Sequence, residues 1–129
     1  MRLAPLLLAA ALAFAAQADE SATIEPQALV ERLAWGDQTL VVLDVRTEAA
    51  YAEGHVPGAR NIPPTELAAR IAELEGARTR DIVVYCRSGP RAAQALTVLE
   101  GAGFKRLLHL QGDYTRWAAD SRPIATSQP

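Results

Sequence analysis

Apolar residues along the chain gather into short, nearly unbroken runs rather than alternating with polar ones. Thr39-Leu40-Val41-Val42-Leu43-Asp44 and Asp81-Ile82-Val83-Val84-Tyr85-Cys86 are the clearest, and Lys105-Arg106-Leu107-Leu108-His109-Leu110 repeats the pattern less cleanly between Gly103 and Gly112. Runs of this length without alternation predict strands buried on both faces, the habit of parallel sheets. Ala22-Thr23-Ile24 reads as a short edge strand.

Between these runs the apolar period lengthens to that of a helix. Pro26 to Leu33 places Leu29, Val30 and Leu33 on one face, with Pro26 in the first turn and Gly36 after the end. Thr47 to Glu53 follows with Thr47 as its N-cap, then Pro64 to Leu74 with Leu67, Ile71 and Leu74 at helical spacing. Arg91 to Glu100 ends at Gly101 and Gly103. Strands alternating with helices predict an α/β fold with a mainly parallel sheet. Sites in such sheets form beyond the carboxyl ends of the strands, where Asp44, Cys86 and Gln111-Gly112 all fall.

The first residues follow another logic. Met1-Arg2 is a positive start, Leu3 to Ala16 is apolar, and Ala16-Gln17-Ala18 has the small-x-small form of a signal-peptidase site. The apolar stretch falls short of the ~20 residues that span a bilayer. Residues 1–18 are therefore expected to be a cleaved signal peptide, leaving one domain over 19–129 with an ordered core of about 22–125, periplasmic or secreted and off the membrane after processing. Asp19 to Ser21 and Thr126 to Pro129 read as frayed ends. The net charge of −2 argues against nucleic acid as a partner, since that binding rests on cations meeting phosphates.

An exported chain with one cysteine, Cys86, cannot close an internal disulfide. A leftover thiol in an oxidising compartment is exposed to trapping and over-oxidation, so its presence suggests use. Cys86 also stands where a strand breaks into the loop Cys86-Arg87-Ser88-Gly89-Pro90-Arg91 and a helix begins. Amides at that helix start should converge on the sulfur and favour negative charge there.

Three segments together resemble the rhodanese family in its small single-domain form. They are Leu43-Asp44-Val45-Arg46 with the stretch from Tyr51 to Pro63; Val84-Tyr85-Cys86-Arg87-Ser88-Gly89-Pro90-Arg91-Ala92; and Leu110-Gln111-Gly112-Asp113-Tyr114-Thr115-Arg116-Trp117, similar to the family's closing Gly-Gly-x-x-x-Trp. The resemblance implies a single rhodanese-like domain, a mainly parallel five-stranded sheet with helices on both faces. It also implies a sulfurtransferase without cofactor or metal. Cys86 would take a sulfane sulfur from a small anionic donor such as thiosulfate and yield it to cyanide, a thiol or a protein thiol.

Within that reading the amides of Arg87, Ser88, Gly89 and Arg91 are the expected cradle for the anion, and Pro90 contributes none. Arg87 either grips the sulfonate end of the donor or is a solvent-exposed loop arginine. Arg91 closes the loop or faces the anion. Arg46 is expected to pair with a carboxylate such as Glu53, with a place at the pocket rim as the alternative, while Asp44 caps Thr47 or neighbouring amides. Gly112 and Asp113 are further rim candidates. Asp113 departs from the family pattern, where a second glycine is frequent; it reads either as an N-cap bonding the Thr115 or Arg116 amides or as a negative charge in the pocket that disfavours a dianionic donor. His55 reads as structural and His109 as a satisfied, partly buried histidine. Trp117 with Tyr114 should pack the last helix on the sheet, and Trp35 should be a core or lid residue.

Two rivals remain. Cysteine phosphatases and arsenate reductases carry an arginine after five intervening residues, whereas Arg91 follows only four, which suits sulfur better than phosphate. A catalytically weak binding or sulfur-carrier module is the other.

Overall fold

The computed structural model describes residues 22–127, together with Arg2 and Ala4. The expected signal segment, those two residues aside, lies outside the described residues, as do the predicted frayed start and the last two positions.

Five strands form one sheet, β1 (Thr23–Ile24), β2 (Leu40–Asp44), β3 (Arg60–Asn61), β4 (Asp81–Tyr85) and β5 (Leu107–Leu110), in the spatial order β1-β5-β4-β2-β3. Every pairing between them is parallel, with Leu43 opposite Val84 and Val84 opposite His109 across the centre. The helices are α1 (Pro26–Ala34), α2 (Glu48–Glu53), α3 (Pro90–Gly101) and α4 (Asp113–Ala119). Thr47 caps α2 as expected, its hydroxyl accepting from the Ala50 amide at 3.2 Å. β3 is a strand that the hydrophobic pattern does not signal. It is two residues long, and Arg60 and Asn61 carry no apolar side chain to mark it.

Successive strand residues point to opposite faces, and the two sides build separate cores. Val41, Leu43, Val45, Ile82 and Val84 pack with Leu67, Leu74, Ala95, Leu96 and Leu99 on the side of α3. Val42, Val83, Tyr85 and Leu110 pack with Leu29, Tyr51 and Trp117 on the side of α1, α2 and α4. Helices thus cover both faces, which is why the strands read as unbroken apolar runs.

The segment expected as a helix over Pro64 to Leu74 is instead a 3₁₀ helix, Ala68–Ala77. Its three-residue turn lines up Ile71, Leu74 and Ala77 along one edge, and that edge meets the α3-side core. Trp35 does not take the core place that was one alternative for it. It lies at the C-cap of α1 and is 87% exposed, outside either core.

Charged residues tie the amino ends of the central strands to α1. Arg32 donates to Asp37 at 2.7 Å and to Asp81 at 3.0 Å, and Asp37 also accepts from the Thr39 hydroxyl at 2.6 Å and the Thr39 amide at 2.8 Å. Those bonds, the Thr39 hydroxyl first and Arg32 next, hold the Asp37 carboxyl down at about 2. A carboxyl lowered by folding adds stability above its ordinary value that is lost as pH falls through the folded value. The stability of the wild type should therefore erode between pH values of about 4 and 2. Urea midpoints across that range should fall less for Asp37→Asn than for the wild type.

The chain closes with a strap. Ala125 and His55 exchange backbone hydrogen bonds at 2.9 Å in an antiparallel bridge, and Trp117 Nε1 donates to the Pro123 carbonyl at 2.7 Å. His55 is fully buried, stacked on Tyr51 with ring centroids 3.7 Å apart. Its Nδ1 lies 2.8 Å from the Tyr51 carbonyl and its Nε2 2.9 Å from that of Ser127, so the residue is structural, as its place in a turn suggests.

Candidate functional site

Cys86 is the first residue after β4, and the loop it opens runs through Gly89 into α3. Gly89 takes φ +123°, a conformation that L side chains rarely adopt, and precedes Pro90 at the first helical position. That bend turns the Gly89 amide onto the sulfur, its N–H donating to Cys86 Sγ at 3.0 Å. Donation of this kind stabilises negative charge on the sulfur. Among the described residues, the amides of Arg87, Ser88 and Arg91 have no acceptor in the protein. Arg87, Ser88 and Arg91 are exposed, whereas Cys86 is 2% exposed. Neither arginine is ion-paired among the described residues. The loop therefore offers unengaged amides and two free cations around a thiol already touched by one N–H.

The carboxyl ends of β4 and β2 are joined by a buried polar cluster. Asp44 accepts from the Arg46 amide at 2.8 Å, from Arg46 Nη2 at 2.7 Å and from the Tyr85 hydroxyl at 2.6 Å. Arg46 Nη2 also donates to the Gly54 carbonyl at 2.6 Å, and the guanidinium lies 3.9 Å from the centroid of the Tyr114 ring. Burial opposes the charge on Arg46, but the hydrogen bond and charge of Asp44 outweigh it and raise the guanidinium above its ordinary value. Burial, and after it the Asp44 carboxylate, pushes the Tyr85 phenol far up, so Tyr85 remains a donor. The expected partners are corrected in part here. Arg46 pairs with a carboxylate as expected, but with Asp44 rather than Glu53, and Asp44 caps a neighbouring amide, that of Arg46, rather than Thr47. The physical reason is burial: both side chains are almost fully covered, and a buried charge needs its opposite within hydrogen-bonding reach. Arg46 stands in the core rather than at an open rim.

Asp113, next to the exposed Gly112, takes a place other than the N-cap one expected. Gly112 is the N-cap of α4 at φ +77°, and a Cβ there would collide with the Arg116 side chain. Asp113 does not cap Thr115 or Arg116. The Thr115 amide donates to the Arg87 carbonyl and the Arg116 amide to Gly112. Instead the Asp113 carboxylate is buried, accepting from the Cys86 amide at 3.0 Å and lying 2.9 Å from His109 Nε2. Asp113 itself has φ +53°. A left-handed backbone costs an ordinary residue roughly 1–2 kcal/mol, least for Asn and Asp, and hydrogen bonds to a charged group contribute roughly 1.5–3 kcal/mol. The side chain offsets its own backbone, and the same angle explains why a glycine suits this place in related motifs. This contact was missed by sequence reasoning. Its signal was the departure from glycine together with His109 four residues earlier, on the strand that leads to the turn.

His109 is therefore satisfied, as expected. No helix among the described residues is long and apolar enough to cross a membrane.

Comparison with known proteins agrees with this fold. The family model described as "Rhodanese-like domain" matches residues 25–120. A sulfurtransferase of Allochromatium vinosum is 37% identical over 105 residues, 81% of this chain and 95% of that protein. A thiosulfate sulfurtransferase of Azotobacter vinelandii is 32% identical over 124 residues, covering 82% of this chain but 45% of that protein. A putative sulfur carrier protein of Bacillus subtilis, YrkF, is 32% identical over 81 residues, 63% of this chain and 43% of that protein. The chain thus spans less than half of the latter two relatives. Among solved structures, the Alr3790 protein from Anabaena superposes with a TM-score of 0.73 at 33% identity, covering 81% of this chain and 82% of that one.

Proposed function

Since the chain belongs to the rhodanese-like domain family, we propose that it moves a sulfane sulfur through a persulfide on Cys86, with thiosulfate as a competent donor and cyanide or a thiol as acceptor. The observation that carries the reading is the Gly89 N–H on Cys86 Sγ at 3.0 Å inside a loop whose other amides and two arginines are unengaged among the described residues.

The chemistry balances without an external oxidant. The Cys86 thiolate attacks the outer sulfur of thiosulfate; a new S–S bond forms, the donor's S–S bond breaks, and sulfite leaves with the electron pair. The acceptor then attacks the outer persulfide sulfur, and the Cys86 thiolate is released. Each step places negative charge on a sulfur beside the loop, where fixed amide donors are most useful. The leader-like first residues favour work outside the cytoplasm, with the acceptor thiol supplied by another molecule.

The test is mass spectrometry after incubation of the reduced protein with thiosulfate, where an adduct of ~32 Da on Cys86 is expected from a single transferred sulfur. No adduct with the thiol free would sink the reading. The resemblance to a putative sulfur carrier favours one second reading, in which the persulfide forms but is delivered only to a partner protein. Slow turnover with cyanide beside rapid loading would point there. Thiosulfate turnover beside an aryl phosphate assay should show activity with the first alone, because the loop places Arg91 one residue nearer the cysteine than phosphate chemistry uses.

Arg87 is exposed beside the sulfur and unpaired among the described residues. A charge-assisted contact of about 1–1.4 kcal/mol corresponds to roughly five- to tenfold in affinity. Arg87→Ala should accordingly raise the KM for thiosulfate by about that factor and leave thermal stability unchanged. An unaltered KM would make Arg87 a bystander on the loop surface.

A further inference from the structure

Three hydrogen-bonded links, one of them double, stitch the cysteine loop to the start of α4. The Tyr114 amide donates to the Cys86 carbonyl at 3.0 Å, and the Thr115 amide donates to the Arg87 carbonyl at 3.0 Å with the Thr115 hydroxyl adding a bond at 2.8 Å. The third runs the other way, from the Cys86 amide to Asp113 Oδ1. The first two can come largely from backbone that most residues would supply. The third exists only because residue 113 bears an acceptor.

The peptide that carries the Cys86 N–H is buried with Tyr85 and Cys86, which are 0% and 2% exposed. Without an acceptor that N–H would be stranded, and a buried unsatisfied donor drives the peptide to rotate towards another partner. Rotation there moves the Cα–Cβ bond of Cys86 and therefore the sulfur. The carboxylate is itself held: His109 Nε2 lies 2.9 Å from the same Oδ1, and Oδ2 faces Gly89, 3.4 Å from where a Cβ would stand. Asp113 thus sits beneath the bend, against both ends of the arc from Cys86 to Gly89.

We propose that Asp113, steadied by His109, is a positioning residue that fixes the Cys86 peptide and so aims the sulfur at the Gly89 amide and the incoming donor. The catalytic part of this inference rests on the sulfurtransferase reading; the structural part does not. It also reverses the expectation of a pocket charge that repels dianions, because the carboxylate is spent inward on the Cys86 amide and His109.

Two variants separate the side chain from its backbone. Asp113→Gly accepts φ +53° without strain but deletes the acceptor, while Asp113→Asn keeps an acceptor oxygen. Amide hydrogen exchange at Cys86 and Gly89, melting temperature, and kcat and KM for thiosulfate are measured on the full chain. In Asp113→Gly, exchange at Cys86 is expected to quicken at least roughly tenfold and kcat to fall by about as much, with KM within about twofold and the melting temperature preserved. Asp113→Asn should restore both readouts most of the way. Wild-type exchange and kcat in Asp113→Gly would overturn the proposal, as would an Asp113→Asn variant as impaired as the glycine one at equal stability. If the wild type loads no sulfur, the sulfurtransferase reading fails and exchange alone decides: faster exchange at Cys86 in Asp113→Gly upholds the clamp, and unchanged exchange refutes it.

Discussion

Cys86→Ser is expected to abolish sulfur transfer, by at least about a thousandfold in turnover, while the protein folds as before. Among the described residues the sulfur's one hydrogen bond is with the Gly89 amide, and a serine oxygen can accept the same bond from nearly the same place. The fold therefore loses little. The chemistry loses both of its steps, because a hydroxyl at neutral pH neither attacks a sulfane sulfur usefully nor serves as the leaving group when the acceptor arrives. Turnover with thiosulfate and cyanide, the ~32 Da adduct, and a melting curve together check the result. Appreciable turnover by the serine variant would move the chemistry away from this residue.

The second large effect is on stability. Arg46→Met should cost about 3–5 kcal/mol, the range found when one partner of a buried ion pair is removed. Methionine fills much of the same space, so the loss falls on the Asp44 carboxylate, which is left in the core with the Tyr85 hydroxyl and one backbone amide but no counter-charge. The Gly54 carbonyl loses its donor as well. Urea unfolding gives the measurement. A change below about 1 kcal/mol, the scale of an exposed pair, would mean that water reaches Asp44. The same variant should also loosen the cysteine loop, because the Arg46 guanidinium lies under the Tyr114 ring and the Tyr114 amide holds the Cys86 carbonyl.

Much of the architecture is legible in the chain because burial on both faces leaves a simple trace. β2 and β4 announce themselves as unbroken apolar runs, and the Pro26 and Thr47 signals sit at the helix starts they predict. The failures share a cause as well. β3 is held by two hydrogen-bonded residues with no apolar period, and the 3₁₀ geometry of Ala68–Ala77 differs from an α-helix by a twist that the three-residue spacing of Ile71 and Leu74 fits in either form. Cys86 and its loop could be picked out because chemistry-bearing residues are adjacent in sequence there. Asp113 and His109 lie more than twenty residues away, and only the closeness of β4 to β5 in the sheet brings them under the loop. That Arg46 pairs with a carboxylate was legible; that the carboxylate is Asp44 rather than Glu53 follows from burial of both side chains, which the sequence does not display.

The two outermost strands carry a further consequence. β1 and β3 are each two residues long, so the margins of the sheet expose little unpaired backbone on which another polypeptide could zip. Long open margins invite self-association and fibre growth. A sheet that stops this abruptly at both sides should stay monodisperse on prolonged concentration, with light scattering that does not climb and no affinity for amyloid dyes.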